Sequence, residues 1–331
     1  MKRSTLYLLL ATLLIFSLIA LGLRQQEREP QLSLVPMDEL SAERINRLDV
    51  TAGGDRKVAA LISTDTGWQD EISGYRADAI LAASTIAMLT SAQFVEAKTT
   101  QAEHYEKIGV ESIYRERARG LEVTLSDSKQ GLSQSILFGD FTNNGQYVRL
   151  NNEAQAWLIG TSIDLPIDNI EWLDRELLDI SAEELVSIRI IHSDMSEIQL
   201  SRNPLTSSDF TMTGVNMDST TKHNGNRIAG ILSGLNMESV STATAIKLPD
   251  TAAVRGEFHT RSGIIIYTHA WQSEEGILFN FDAGYAPTED IIDSLAQTQA
   301  ARIAAKLNGW VYTLPSFKTA QFLSRPADLL Q

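Results

Sequence analysis

Leu40-Ser41-Ala42-Glu43-Arg44-Ile45 returns as Ile180-Ser181-Ala182-Glu183-Glu184-Leu185 at an offset of 140. The apolar positions that follow keep this spacing, Leu48 falling on Ile188, Val50 on Ile190 and Val58 on Ile198. Further along, Trp68 falls on Phe210, Leu89 on Leu235, Arg119-Gly120 on Arg255-Gly256, and Trp157 on Trp310. The order is collinear and the offsets drift by a few residues, as loop-length changes would make them, except at the last match, where the second copy gains a helix. A repeat of this length implies two copies of one supersecondary plan. The copies are expected at 40–179 and 180–331.

Period and turn chemistry give that plan its content. In the first copy, strands are expected at Arg47–Ala52 and Lys57–Ser63, around the turn Gly53-Gly54-Asp55, and then at Trp68–Ile72. Asp78 stands as the N-cap of a helix to Thr90, with Ile80, Ala83, Ile86, Ala87 and Leu89 as the face toward the sheet. Strands follow at 121–125, 135–138, 147–150 and 156–159, with Asn144-Gly145 as a type I′ hairpin. In the second copy, Ser181 and Glu184 form a capping box. Strands are expected at 186–192, 197–201, 210–213, 256–260, 263–271, 276–281 and 310–314. One helix is expected at 225–235, with Ile228, Ile231, Leu232 and Leu235 as its stripe. The added helix runs from 288 to 307, opened by Pro287, Glu289 and Asp290 and closed by Lys306 and Gly309. The expected class is α+β, two pseudo-repeated units of mixed or antiparallel sheet with packed helices.

Before the repeats comes Leu6–Leu23, an apolar run of 18 residues preceded by Lys2 and Arg3. That length is near the minimum for a helix crossing the hydrocarbon core, and its Leu, Ile and Phe residues favour insertion. Residues 1–24 are therefore expected to be a transmembrane signal anchor. The bases ahead of the run favour a cytoplasmic N-terminus. A cleaved signal peptide with Ala20 and Gly22 at its cleavage site is the alternative, but the run reaches Leu23 with no polar break. Residues 25–39, with Pro30 and Pro36, are expected to be an extended linker. The resulting topology is single-pass in a bacterial inner membrane, with a periplasmic C-terminal domain.

The net charge of −14 argues against nucleic acid as a partner, since such proteins gather Lys and Arg on one face. With no cysteine, disulfides, thiolate metal sites and a cysteine nucleophile are excluded. The histidines are His104, His192, His223, His259 and His269, and none makes the helical pair of a zinc hydrolase. His259 and His269 fall on adjacent strands without a third ligand at suitable spacing. Asp140–Gly145 has the start of a calcium loop, but position 12 is Asn151 and the flanks are strands, so a turn is expected. There is no nucleophile elbow, phosphate loop or dinucleotide fingerprint. Acid pairs such as Asp174/Glu176 and Glu274/Glu275 read as solvated surface. Trp68, Trp157, Trp172, Trp271 and Trp310 could line a sugar groove, although the matched positions of Trp157 and Trp310 favour a shared core role. No catalytic, cofactor-binding or metal residue is assigned, no cofactor is expected, and the chain is read as a non-enzyme.

Several strings resemble one family. These are Thr64-Asp65-Thr66-Gly67-Trp68, then Ala77-Asp78-Ala79-Ile80, Tyr105-Glu106-Lys107-Ile108-Gly109-Val110, and Leu137-Phe138-Gly139-Asp140 followed by Tyr147-Val148. Together, over Asp55 to Gly214, they resemble the domain of unknown function 4340. The chain departs from it where Tyr-Gly-Leu is interrupted at Tyr105…Gly109-Val110. It departs again where Gly74 and Tyr75 replace a proline. The resemblance implies single-pass envelope proteins associated with gliding-motility-type ABC transporters, and it carries no catalytic residue. The expected role is thus a periplasmic accessory subunit of an ABC-type transport complex. Its partners would be the transporter permease, a companion extracytoplasmic subunit and, through residues 6–23, the lipid bilayer. The alternative is a periplasmic ligand- or glycan-binding domain with its site between the two repeats.

Overall fold

The computed structural model describes residues 32–330 apart from 37–39, 204–206, 208, 214–218, 275 and 288–292. The run at 6–23 expected to cross the membrane lies outside these residues. Among those described, no helix is long and apolar enough to span a bilayer. The chain is a mixed α+β protein with large antiparallel sheets and few helices. It forms two compact bodies, residues up to Ser63 with Ile80–Ile167, and Thr64–Ala79 with the residues from Asp168 onward.

The first body holds β1 (Arg47–Ala52), β2 (Arg56–Thr64), α1 (Ala79–Ser91), β4 (Phe94–Ala97), α2 (Tyr105–Ile108), β5 (Leu121–Asp127), β6 (Leu132–Thr142), β7 (Gly145–Leu150) and β8 (Ala156–Ile159). Its sheet runs β2-β1-β5-β6-β7-β8-β4, with neighbouring strands antiparallel. The strand β3 (Gly67–Asp70) belongs to the Thr64–Ala79 segment of the second body. In β5, Val123, Leu125 and Asp127 alternate inward, the period of a half-buried strand. Gly54 and Asp55 both take positive φ, 74° and 57°, so the β1–β2 turn needs the small residues found there. Within the stretch read as linker, Leu34 and Val35 are buried, and Ser33 bridges Gln93.

The second body repeats the order. It holds β9 (Glu176–Leu178), β10 (Leu185–His192), β11 (Glu197–Ser201), β12 (Thr211–Met212), α3 (Ser219–Ala229), β13 (Leu235–Asn236), β14 (Ser239–Thr242), β15 (Val254–Thr260), β16 (Ile264–Ser273), β17 (Gly276–Tyr285), α4 (Ser294–Leu307), β18 (Trp310–Thr313), α5 (Ser316–Phe322) and α6 (Pro326–Leu329). Its main sheet runs β12-β11-β10-β15-β16-β17-β18-β14, with β9 and β13 as a separate pair. Substituting β10 for β1, β11 for β2, β15–β18 for β5–β8 and β14 for β4 turns one strand order into the other.

Transverse rows fix the residue equivalences. Ala52, Leu121, Phe138, Val148 and Trp157 stand side by side across the first sheet. His192, Val254, Ala270, Phe279 and Tyr312 do so across the second. Two sequence matches are therefore corrected. Trp157 corresponds to Tyr312 rather than Trp310, and Gly256 corresponds to Val123 rather than Gly120. Short identities misled at these places because a register is set by the ladder, not by local likeness.

Other expectations shift too. The buried face of α1 is Ala82, Thr85, Ile86, Leu89 and Thr90, while Ile80, Ala83 and Ala87 are exposed. Thr90 can be buried because its hydroxyl donates to the Ile86 carbonyl at 2.8 Å. The β6–β7 turn is not type I′, since Asn143 and Asn144 keep negative φ and Gly145 alone is positive at 138°. The third strand of the second copy is only Thr211–Met212. The helix expected at 225–235 ends at Ala229, continues as a 3₁₀ turn over Gly230–Leu232, and leaves Leu235 in β13. Its stripe of Ile228, Ile231, Leu232 and Leu235 is fully buried. The start expected at Pro287, Glu289 and Asp290 falls largely outside the described residues. The described part of α4 is capped by Asp293, which accepts from the Leu295 and Ala296 amides. In the expected capping box, Glu184 accepts from both the amide and the hydroxyl of Ser181.

Candidate functional site

The segment Thr64–Ala79 is a small hairpin with a demanding turn. The Trp68 carbonyl accepts from the Ala77 amide and the Tyr75 carbonyl from the Asp70 amide, both at 2.8 Å. Gly74 closes the turn with φ of 72°, a value proline cannot adopt. This accounts for the missing proline. Asp70, fully buried, accepts from the amide and hydroxyl of Ser73 at 3.0 and 2.7 Å.

Beyond the turn the Arg76 guanidinium folds back over the Tyr75 ring, 4.5 Å from its centroid. Tyr75 is fully buried in the core of the second body, edge-on to Trp310 with centroids 4.9 Å apart and to Tyr312 at 6.2 Å. Burial, with Tyr312 alongside, pushes the Tyr75 phenol far above its usual range. Burial also raises Tyr312, to about 12.

Arg76 is held from every side. Its Nε donates to Asp174 at 2.7 Å, one Nη to the Lys306 carbonyl at 2.6 Å and the other to the Tyr75 hydroxyl at 2.6 Å. The Lys306 ammonium reaches Asp174 at 3.3 Å and donates to the Glu176 carbonyl at 2.6 Å. Around this network is a cleft of about 550 Å³, lined by Thr66, Trp68, Gln69, Arg76, Asp174, Arg302, Lys306 and Trp310 among others. All belong to the second body. Arg302 and Lys306 lie one turn apart on α4. Trp68 and Trp310 are half-buried.

The other residues singled out in the sequence lie scattered. Trp172 is fully buried, Trp157 is half-buried and stacks on Phe94 at 4.8 Å, and Trp271 stacks on His269 at 5.7 Å. Trp310 is half-buried and packs against the core of the second body, in keeping with the expected core role, while Trp157 is half-buried beside Phe94. His259 pairs across the ladder with Ile265, and His269 with Arg255, so the two histidines are not opposed. Burial and the neighbouring Arg255 lower the His269 pKa, against Asp282, which raises it. His192 is buried with Nε2 2.9 Å from the Ser324 carbonyl. Among the described residues, no group of three His, Cys, Asp or Glu could hold a metal ion. Asp174 is partly exposed and engaged by two cations, and Glu176 is exposed. Arg76 and Arg302 carry no signal in the sequence, although the spacing of Arg302 and Lys306 on one helix face is readable there.

The strings that resemble a family are framework. The α2 helix ends at Gly109 in the left-handed region, φ 71°. A Cβ on Gly139 would stand 2.2 Å from the Ile108 carbonyl oxygen, and one on Gly120 would stand 2.4 Å from that of Gly109. Tyr105 donates to the Ala154 carbonyl and lies under the Arg149 guanidinium, 4.6 Å from its ring centroid.

The fold and cleft thus define a duplicated antiparallel α+β protein with a cationic, tryptophan-lined depression in its second body. The chain belongs to the family described as domain of unknown function DUF4340, which matches it over residues 68–253, more than half its length. Comparisons with curated proteins and with solved structures found no match.

Proposed function

We propose that this chain is a non-enzymatic accessory subunit of an ABC-type transport complex, anchored in the bacterial inner membrane through residues 6–23. It presents its two bodies to the periplasm and works by docking, with the permease and a companion extracytoplasmic subunit as partners. The observation that carries the docking reading is the outer face of α1. The whole helix, Ala79–Ser91, contains no charged residue, and Ile80 is 83% exposed, Met88 38%. Ala83, Ser84, Ala87 and Ser91 are exposed between them. In a chain with 42 acidic and 28 basic residues, a neutral helical face suits a packed partner better than water. Small side chains let a second helix approach to within about 8–10 Å. The proposed occupant is a neutral helix of the companion subunit.

Affinity purification from native membranes in mild detergent tests this reading. The permease and the companion subunit are expected to copurify with the native chain, and Ala87→Glu is expected to release the companion while leaving the melting temperature unchanged. Recovery of neither partner would sink the proposal, as would full retention by the variant.

A further inference from the structure

We propose that the Trp68–Trp310 cleft binds an acidic saccharide, a sugar chain bearing carboxylates, with Arg302 as the group that meets the anion. The inference concerns a different body from the docking face and does not depend on it.

Charge is the first argument. The chain is −14 overall, yet the cleft gathers Arg76, Arg302 and Lys306 against Asp174 alone, a local balance of three positive to one negative. Arg76 and Lys306 are fixed by Asp174 and by the carbonyls of Lys306 and Glu176. Their shared excess of one charge cannot swing away. Arg302 lies one turn earlier on α4 and, among the described residues, has no ion pair or hydrogen bond. A planar guanidinium without a partner beside a fixed cation suits a carboxylate, which it can meet with two parallel bonds.

Shape is the second. Trp68 and Trp310 come from different strands, are both half-buried and both line the one cleft. A pyranose ring has an apolar face of C–H groups that packs on an indole, while its hydroxyls need polar neighbours. Thr66 and Gln69 line the cleft as well. The Gln69 amide nitrogen donates to the Gly74 carbonyl and the Thr66 hydroxyl is shared with Thr64. The Gln69 oxygen and the second bond of the Thr66 hydroxyl are therefore the polar groups they offer. An acidic peptide fits less well. Peptides are commonly held through main-chain bonds to an open sheet edge. Here the cleft is walled by α4 and by a hairpin whose ladder bonds are already made, Ala77 to Trp68 and Asp70 to Tyr75.

The test titrates the full-length chain in detergent micelles with tetragalacturonate, following tryptophan fluorescence. Saturable quenching with a Kd of about 0.1–1 mM is expected. Arg302→Gln, on the outer side of α4, is expected to weaken tetragalacturonate by roughly tenfold. It should leave the melting temperature in place. Trp68→Phe is expected to reduce the quenching and the affinity together. Neutral tetragalactose is expected to bind more weakly than the acidic chain and to be indifferent to Arg302→Gln. The proposal is overturned by no saturable response to tetragalacturonate up to about 10 mM. It is equally overturned by affinity that Arg302→Gln leaves unchanged, or by tetraglutamate binding as tightly as the sugar.

Discussion

Lys318 shows how much one side chain can carry in this fold. It is 6% exposed, and its ammonium donates to the carbonyls of Gly230, Ile231 and Ser233 at 3.0, 2.9 and 2.7 Å. It thereby satisfies the orphan carbonyls at the end of the 3₁₀ turn. Lys318→Met leaves the buried Ile231 carbonyl without its donor, while the Gly230 carbonyl keeps the Ser233 amide, and is expected to cost about 1–3 kcal/mol in chemical denaturation. Burial lowers the Lys318 pKa in the folded chain. Between that depressed value and the unfolded one, the unfolded chain binds more protons, so this group's contribution to stability rises with pH. Tyr75 and Tyr312 act in the opposite sense. Their folded phenols stay protonated above the usual value of 10.0, so the unfolded chain releases protons first, and stability falls as pH climbs from about 10 toward 12. Tyr312→Phe is expected to flatten that alkaline decline in a pH series of melting curves. Glycines give a further contrast. Gly139→Ala drives a Cβ into backbone and is expected to cost roughly 2–4 kcal/mol. At Gly230 nothing lies within 4 Å, and alanine there is expected to be neutral or stabilising by about 0.4–1 kcal/mol.

At the level of elements, α1 separates what a pattern reveals from what it hides. Its existence and its ends are readable from Asp78 and the apolar run, and the strands from period two and glycine turns. Its orientation is not, because Ala, Ser and Thr fill both faces and the hydrophobic contrast is slight. Threonine reads as polar, yet Thr90 bonds its own helix backbone and goes inward, leaving Ile80 outside. Ile86→Ala is expected to cost about 2–4 kcal/mol, while Ala83→Ser should change the denaturation midpoint little. The cleft is illegible for a different reason. Its lining comes from 66–76, from 174 and from 302–310, positions with no shared period, and only folding brings them together. Trp68 and Trp310 stand out in the sequence as aromatics, but nothing there places them on one wall.

Across the whole molecule, one plan is used twice and then made unequal. Both sheets share a strand order, but the second adds α4 before β18 and α5 and α6 after it. The connection from β7 to β8 is only residues 151–155, so the first copy has no such helix. α5 brings Phe322 against Phe258, Phe279 and Phe281, at 5.9, 5.1 and 5.8 Å, which extends the second core. That core also takes Tyr75 from the hairpin at Thr64–Ala79. A fragment of residues 168–331 is therefore expected to melt well below the full chain. Adding a synthetic peptide of residues 64–79 should recover part of the difference, whereas the same peptide with Tyr75→Ala should recover none, since truncating a buried aromatic costs about 3–5 kcal/mol. Equal melting of fragment and full chain would show that the hairpin is dispensable.

The loan of Tyr75 has a consequence in time. A ribosome makes this tyrosine 237 residues before the Tyr312 it packs against. At elongation rates of roughly 5–20 residues per second, that is a wait on the order of ten to fifty seconds. Throughout it, an aromatic hairpin has emerged and its socket has not been translated. Nascent chains stalled before residue 310 should be cut by protease within 64–79, and chains released after 331 should resist.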